Sequence, residues 1–235
     1  TYNDTACSSC HQAPVTGHIS QINEFRAGSL VNGVFQAPPG GQTLIQDRAI
    51  DGEAQERINT GLAVHEFRST RTVLGDGFVE AIANGTLQNN VAAQPVAQRG
   101  QLRTVTVLEA APATRIGRFG HKSQHASLVS FSADAYLNEM GITSPLQPNE
   151  NNILGQSAAP FDTVEDPEDD GDDVEAFAAF MRALSVPGRG PINANVTAGE
   201  SLFNAIGCAV CHTPRFTTAP AGTIINGGAF IVPVA

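Results

Sequence analysis

The stretches Cys7-Ser8-Ser9-Cys10-His11 and Cys208-Ala209-Val210-Cys211-His212 contain all four cysteines of the chain. Each is a C-x-x-C pair followed directly by histidine, which is the attachment signature of c-type haem. Two thiols on one helical turn can form thioether bonds to the two vinyl groups of one porphyrin, and the next residue places its imidazole under the iron. The sequence therefore predicts two covalently bound haem c groups, with His11 and His212 as the proximal iron ligands.

Two other interpretations of the cysteines are weaker. A four-thiolate zinc site would not require a histidine after each pair, and a disulfide within C-x-x-C closes too small a loop to cross-link much of the chain. Because haem c is attached outside the cytoplasmic membrane, the motifs predict a bacterial protein that is periplasmic or otherwise exported. Only 23 residues follow His212, so we expect the natural protein to continue or another segment to complete the second haem pocket.

Composition and charge exclude several classes of protein. Of the 235 residues, 41% are hydrophobic and 15% are charged, which is enough apolar material for a core. The net charge of −10 argues against nucleic acid as a partner. Residues 162–175 carry nine acids and no base. No run of eighteen apolar residues exists, so the sequence contains no candidate transmembrane segment.

The sequence predicts a mainly α fold with long loops. Apolar residues recur at helical spacing in 124–140 and 172–184, and Gly141 is a stop signal after the first of these. A shorter helix is expected over 76–83. Alternation in Thr104 to Leu108 indicates a strand. After a Pro/Gly connection, Thr197 with Glu200 three positions later predicts a capping box that starts a helix leading into the second motif.

Three regions follow from this layout. Residues 1–160 are expected to form an N-terminal haem c domain with large insertions. Residues 161–196 form an acidic linker, a helix and the Pro/Gly connection, and residues 197–235 start a second haem c domain that is truncated in this chain. Each C-x-x-C-H precedes a loop containing proline, which suggests two related haem units.

Three segments, together with the two C-x-x-C-H motifs, resemble the bacterial di-haem cytochrome c peroxidase superfamily. Beside the haem motifs, Arg68-Ser69-Thr70-Arg71-Thr72-Val73 is similar to R-N-S-P-T-V, and Arg118-Phe119-Gly120-His121-Lys122 is similar to the F-W-D-G-R region. Asn138-Glu139-Met140-Gly141 is similar to N-P-x-E-M-G. The branch with the most similar motifs is the di-haem oxidoreductases, some of which are called thiol oxidoreductases and carry R-F-G-W-K and N-D-M-G-I-T.

The resemblance implies a fold of two cytochrome c-like domains that pack across an interface. It also implies that the protein reduces peroxide. Peroxide would react at the N-terminal haem with Glu139 as the acid–base residue, and a small redox protein would deliver electrons through the C-terminal haem. His121 stands where the family often has a tryptophan between the haems. Ser69 replaces an asparagine that contributes to an inter-haem calcium site, so the resemblance leaves both the electron path and a calcium ion open.

The remaining candidates have alternative interpretations. Arg68 and Arg118, with Arg71 and Arg115, are expected either to hold haem propionates through the guanidinium fork or to be surface residues. The sixth ligand of the first haem is expected to be His65 or Met140, although Met140 also fits core packing. Two further options are a metal pair formed by His121 and His125, which the spacing places at the start of a helix, and a calcium site in the acidic run.

Three functions from different classes therefore remain. The first is an enzyme that reduces hydrogen peroxide or another small oxidant. The second is an electron-transfer cytochrome without its own substrate. The third is a protein-modifying or thiol oxidoreductase. The family's use of a carboxylate at the position of Glu139 favours the first, because a pure electron carrier has no use for a buried carboxylate beside its haem.

Overall fold

The computed structural model describes residues 1–233 and divides the chain into two compact units, each assembled from two separate stretches. The first unit contains residues 1–74 and 131–184. The second contains residues 75–130 and the chain from residue 185 onward. Each unit therefore contains one C-x-x-C-H motif together with chain that is remote from it in sequence.

Helices and strands are interleaved along the chain. In chain order they are α1 (Cys7–Cys10), β1 (Asn23–Val31), β2 (Val34–Gln36), β3 (Leu44–Ile45), β4 (Val64–Ser69), α2 (Asp76–Ala81), α3 (Asn84–Ala93), β5 (Thr104–Thr106), β6 (Thr114–Ile116), α4 (Leu128–Ala135), a π-helix (Tyr136–Met140), α5 (Asp172–Ala183), α6 (Ala194–Ala205), β7 (Ile224–Ile225) and β8 (Phe230–Ile231). Short 3₁₀ turns occur at Val96–Gln98, Leu108–Ala110, Cys208–Val210 and Asn226–Gly228.

The prediction of a mainly α fold is wrong. About 30% of the structure is helical and 18% is strand, distributed over several small sheets. The largest sheet is antiparallel: β1 pairs with β2, β3 and β4. The sequence signal for it is Asn32-Gly33, whose positive φ angles of 53° and 77° suit the tight turn that joins two antiparallel strands.

The two faces of this sheet differ in chemistry because successive strand residues point to opposite sides. Ala27 on β1 packs with Ile45 and Leu62 in a buried apolar cluster. Glu24 and Arg26 lie at alternate positions of the same strand. The register sets Glu24 opposite Arg68 and Arg26 opposite Glu66 on β4, which gives this face two acids and two arginines.

The predicted helices are present with changed boundaries. The 172–184 helix is confirmed as α5, and the strand at Thr104 is confirmed as β5. The 124–140 helix starts four residues later, at Leu128, and changes to π geometry from Tyr136. Gly141 ends it with φ of 68°, as predicted.

The predicted capping box at Thr197 is wrong. The helix α6 starts at Ala194, and Asn193 is its N-cap, with a side chain that accepts hydrogen bonds from the N–H groups of Asn195 and Val196. Thr197 lies within the helix and its hydroxyl donates to the carbonyl of Asn193. Asn193 is the N-cap because its side-chain oxygen reaches two N–H groups of the first turn that have no partner within the helix.

A buried polar network holds the second unit together. Asn226, which is 1% exposed, donates to the carboxylate of Glu80 at 2.9 Å and accepts from Arg115 at 2.7 Å. The Glu80 carboxylate also accepts from the N–H of Leu128 at 2.8 Å. Because all three side chains are buried, each bond replaces one that water made in the unfolded chain.

Replacing Asn226 with leucine should lower the free energy of unfolding by about 2–4 kcal/mol, because it removes buried partners of two charged groups and puts a branched side chain at a φ of 53°. Chemical denaturation measures this change. The exposed Asn204 of α6 is the control, and Asn204→Leu should change stability by less than about 0.5 kcal/mol. Equal effects of the two substitutions would contradict the role of the network.

Candidate functional site

The first C-x-x-C-H forms a single helical turn with its histidine fixed by the main chain. The N–H of His11 donates to the carbonyl of Cys7 at 2.9 Å, which closes the turn. The Nδ1 atom of His11 lies 3.0 Å from the carbonyl oxygen of His18, so Nε2 remains for a metal. A hydrogen bond of this kind to the second ring nitrogen orients histidine ligands in metalloproteins. Burial lowers the pKa of His11, which favours the neutral imidazole that binds metal.

The second motif has the same closing hydrogen bond. The N–H of His212 donates to the carbonyl of Cys208 at 2.9 Å. Gln94, the C-cap residue of helix α3, donates a hydrogen bond from its side-chain amide to the carbonyl of Val210 in this turn at 3.1 Å. All four cysteines are free thiols. The described residues thus offer two pairs of free thiols on single turns, each followed by an imidazole, and this donor set fits two haem c groups.

Glu139 lies beside the first motif. The main-chain N–H groups of Asn3 and Asp4 donate to its carbonyl at 2.8 and 3.2 Å, and the side-chain amide of Asn3 donates to its carboxyl at 2.6 Å. The next residue, Met140, places its sulfur 3.9 Å from that of Cys7. The structure therefore brings Glu139 and Met140 next to a cysteine more than 130 positions away in sequence.

The environment of Glu139 perturbs several ionisable groups. Burial raises the pKa of Glu139 above its ordinary value, and the hydrogen bond from Asn3 partly opposes this shift. Burial also raises the pKa of the thiols of Cys7 and Cys10, and the negative charge of Glu139 adds to both shifts. Glu139 is the penultimate residue of a π-helix, a rare geometry that is frequent at functional sites.

Arg68 and His65 lie on the main sheet. Arg68 bonds to Glu66 at 2.7 Å and, with Arg26, lines a cavity of about 100 Å³ on the charged face. His65, three residues before Arg68 on β4, is exposed. Its Nε2 atom lies 2.7 Å from the carbonyl oxygen of Leu62, and its ring packs against Phe25. Among the two candidates for a sixth ligand, Met140 is the one whose contact with the first motif is direct.

Arg118 and Arg115 are directed at main-chain carbonyls of the second unit. Arg118 donates to the carbonyls of Ile82 and Ile116 and to the side chain of Asn84. Arg115 donates to the carbonyls of Glu80 and Ile82 at 2.7 and 2.9 Å. Burial lowers the pKa of Arg118 to about 9, and repulsion from Arg115 contributes, but both guanidinium groups remain charged at neutral pH. Both arginines thus satisfy carbonyls at the end of α2.

His121 lies in a turn. The main chains of Phe119 and His125 bond to each other in both directions, at 3.0 and 3.2 Å, and His121 lies half-buried between them. The expected placement of His121 and His125 on the start of a helix is wrong, because α4 begins only at Leu128.

Three acids of the first unit lie close enough to share a cation. Oxygen atoms of Glu150, Asp166 and Glu168 lie within 4.8 Å of one another. Asp166 and Glu168 belong to the predicted acidic run, whereas Glu150 lies outside it. Thr143 donates its hydroxyl to Asp166 and its N–H to Glu168, and these bonds account for the close approach of two of the acids.

Comparison with known proteins identifies the family. Residues 65–234 match the family described as "Di-haem oxidoreductase, putative peroxidase". The chain belongs to this di-haem oxidoreductase family, and the matched range includes the second C-x-x-C-H, Arg118, His121 and Glu139. No curated protein and no solved structure matches the chain. Within residues 1–233, no helix is long and apolar enough to cross a membrane.

Sequence reasoning missed the polar partners of these sites. The amide of Asn3 contacts Glu139 and the carbonyl of His18 contacts His11, whereas Asn226 bonds to Glu80 and Arg115 in the second unit. Neither Asn3 nor Glu80 belongs to a residue pattern that indicates a site. They become visible only when the contacts between distant segments are known.

Asp76 provides a test of the electrostatics of the second unit. Burial and the nearby Glu80 raise its pKa from 3.8 to about 6. Since the folded state favours the protonated form, the associated stability is present below pH 3.8 and is lost as pH rises through about 6. Asp76→Asn should therefore raise the free energy of unfolding at pH 7 by about 2 kcal/mol, after allowing for a lost helix-dipole interaction, and change it little at pH 4.

Denaturant unfolding at the two pH values measures this effect. Asp172, an exposed acid in the first turn of α5, is the matched control, and Asp172→Asn should leave stability the same or slightly lower at both. An increase in the free energy of unfolding of Asp76→Asn that is equal at pH 4 and pH 7 would contradict the raised pKa of Asp76.

Proposed function

We propose that this di-haem oxidoreductase reduces hydrogen peroxide in the first unit, with two covalently attached haem c groups and Glu139 as the acid–base residue. The observation that carries the proposal is the contact of the Asn138–Gly141 segment with the first C-x-x-C-H motif. It brings a half-buried carboxyl group next to the residues that would hold a haem. The thioethers would form at Cys7 and Cys10 and at Cys208 and Cys211, with His11 and His212 as proximal ligands.

Haem, when bound, supplies the iron that transfers electrons to peroxide. Conversion of one peroxide to two water molecules consumes two electrons and two protons, and it breaks the O–O bond. The carboxylate of Glu139 takes a proton from one peroxide oxygen and returns a proton to the other, so that this second oxygen leaves as water. A positioned acid–base group of this kind contributes about 10²–10⁴-fold in rate.

The raised pKa of Glu139 suits this role. A carboxyl group with an ordinary pKa is a poor proton donor at neutral pH, because it is almost fully ionised. Burial raises the pKa of Glu139 above that ordinary value, which is the direction that a general acid working near neutral pH requires. The hydrogen bond from Asn3 opposes this shift, because it favours the ionised carboxylate.

Electrons would enter through the second unit from a small redox protein in the periplasm, and His121 would assist their transfer. The two units differ in charge: the first contains nineteen acids and six bases, and the second contains four acids and seven bases. Two exposed basic side chains of the second unit lie near the second motif. Arg99 donates to the carbonyl of Gln94, whose side chain bonds to the motif, and Arg215 follows His212 by three residues. This charge favours a donor with an acidic face.

The chain should retain about two haems after denaturation in acid and extraction with organic solvent, as covalent attachment at two motifs requires. Pyridine haemochrome absorbance per mole of protein measures this number. Replacing Cys208 and Cys211 together with serine should lower it to one, and replacing Cys7 and Cys10 should do the same. Loss of all haem from the unaltered chain on extraction would contradict covalent attachment.

Glu139→Gln keeps the size of the side chain and removes the base. It should lower peroxide turnover by at least about tenfold, the low end for loss of acid–base catalysis, while haem content stays unchanged. Steady-state peroxide reduction with a reduced donor dye measures the rate. Glu175→Gln, at an exposed position of α5 in the same unit, is the matched control and should turn over at the unaltered rate. Peroxide turnover at the unaltered rate in Glu139→Gln would show that another group moves the proton.

A further inference from the structure

We infer that Asn3 is a positioning residue for the carboxyl group of Glu139. The inference rests on the proposed function of Glu139 and extends the site to the segment that precedes the first C-x-x-C-H. It is carried by one contact, the hydrogen bond from the Asn3 side-chain amide to the Glu139 carboxyl at 2.6 Å.

The orientation of the Asn3 amide is fixed from its other side. Its side-chain oxygen accepts a hydrogen bond from the N–H of Asp47 at 3.0 Å. An amide has one acceptor end and one donor end, so this bond turns the N–H₂ group toward Glu139. The donor is therefore committed to one direction, and it holds the carboxyl group in one rotamer.

The main chain of Asn3 is held against the same residue. Its N–H donates to the carbonyl of Glu139 at 2.8 Å, and the N–H of Asp4 donates to the same oxygen at 3.2 Å. Both ends of Glu139, main chain and side chain, are thus bonded to residues that lie three and four positions before Cys7. Any shift of Glu139 relative to the first motif would have to break these bonds.

Neighbouring contacts prevent this segment from moving away. Thr1 donates its hydroxyl to the side chain of Gln46, and the amide of Gln46 donates to the carbonyl of Asn138 at 2.9 Å. Gly141 approaches Thr1 so closely that a Cβ atom there would lie 2.6 Å from the Thr1 carbonyl oxygen. The segment 1–4 and the end of the π-helix therefore fit together only in this arrangement.

A general base works only when it is held within hydrogen-bonding reach of the proton, and a misplacement of about 1 Å can lower a rate by about 10²-fold. Without the bond from Asn3, the Glu139 side chain can rotate about its χ angles. A productive carboxyl position would then be occupied for only part of the time, and turnover would fall although the acid itself is still present.

The test uses Asn3→Asp and Asn3→Ser in the haem-loaded chain. Asn3→Asp keeps the acceptor for Asp47 and replaces the N–H₂ donor with a carboxylate oxygen, which repels the carboxylate of Glu139. Asn3→Ser removes the reach of the side chain without adding a charge. Both leave the main-chain bonds in place. Each should lower kcat for hydrogen peroxide between about 10- and 100-fold, with KM and haem content within about twofold of the unaltered values.

Asn59→Ser is the matched control, the same exchange at an exposed asparagine of the first unit. The side chain of Asn59 accepts a hydrogen bond from the N–H of Gly61 at 2.9 Å, in the loop that precedes β4. This variant should keep the unaltered kcat and haem content.

Two further readouts separate positioning from general support of the fold. Combining Asn3→Ser with Glu139→Gln should give no slower turnover than Glu139→Gln alone, because Asn3 acts only through the carboxyl group. The infrared C–O stretch of carbon monoxide bound to the reduced protein reports the polarity beside the iron without turnover, and Asn3→Ser and Glu139→Gln should shift it in the same direction.

The outcomes distinguish this inference from the proposed function. If Glu139→Gln slows turnover and both Asn3 variants turn over at the unaltered rate, the positioning role is wrong and the proposed function stands. Losses that add in the double variant, or a C–O stretch that responds to Glu139→Gln alone, would also overturn it. An unaltered rate in Glu139→Gln itself would refute the proposed function.

Discussion

The hydrogen bonds between residues 1–4 and the end of the π-helix are the constraint on which the first unit depends. Asn3 and Asp4 together donate three hydrogen bonds to Glu139. These bonds join the segment that leads into Cys7 to residues more than 130 positions later. The turn of the first C-x-x-C-H motif and the half-buried Glu139 therefore share one support. A site built in this way can hold a carboxyl group at a fixed distance from a cofactor.

The second unit uses its charged residues in a different way. Arg118, in a segment that resembles a family motif, and Arg115, three residues before it, satisfy the carbonyls at the end of helix α2. Asn226 links Arg115 to Glu80. Arg115 thus receives acceptors from both stretches of chain that form the unit. A planar guanidinium with five N–H groups can satisfy several carbonyls at once, which lysine cannot do. We therefore regard the main role of Arg115 as structural.

Helix prediction succeeded where periodicity was strong and failed where a local polar contact decided the boundary. The α5 helix is long and amphipathic, and its bounds agree with the sequence to within one residue. The start of α6 was misplaced because two capping candidates lie four residues apart, and only the geometry of the Asn193 side chain selects between them. The main sheet was missed because the loop-rich composition of residues 1–50 obscured the Asn32-Gly33 hairpin signal.

By itself the sequence determined the two C-x-x-C-H motifs and predicted haem attachment there, because that chemistry depends on residues within five consecutive positions. It also indicated Glu139, through a short segment that resembles a family motif. Only the tertiary structure decided what surrounds these residues, namely the Asn3 amide that contacts Glu139 and the His18 carbonyl that contacts His11. It also decided that each unit is assembled from two separate stretches of the chain. The physical reason is that hydrogen bonds between remote segments depend on chain path and register, which no local pattern of residues encodes.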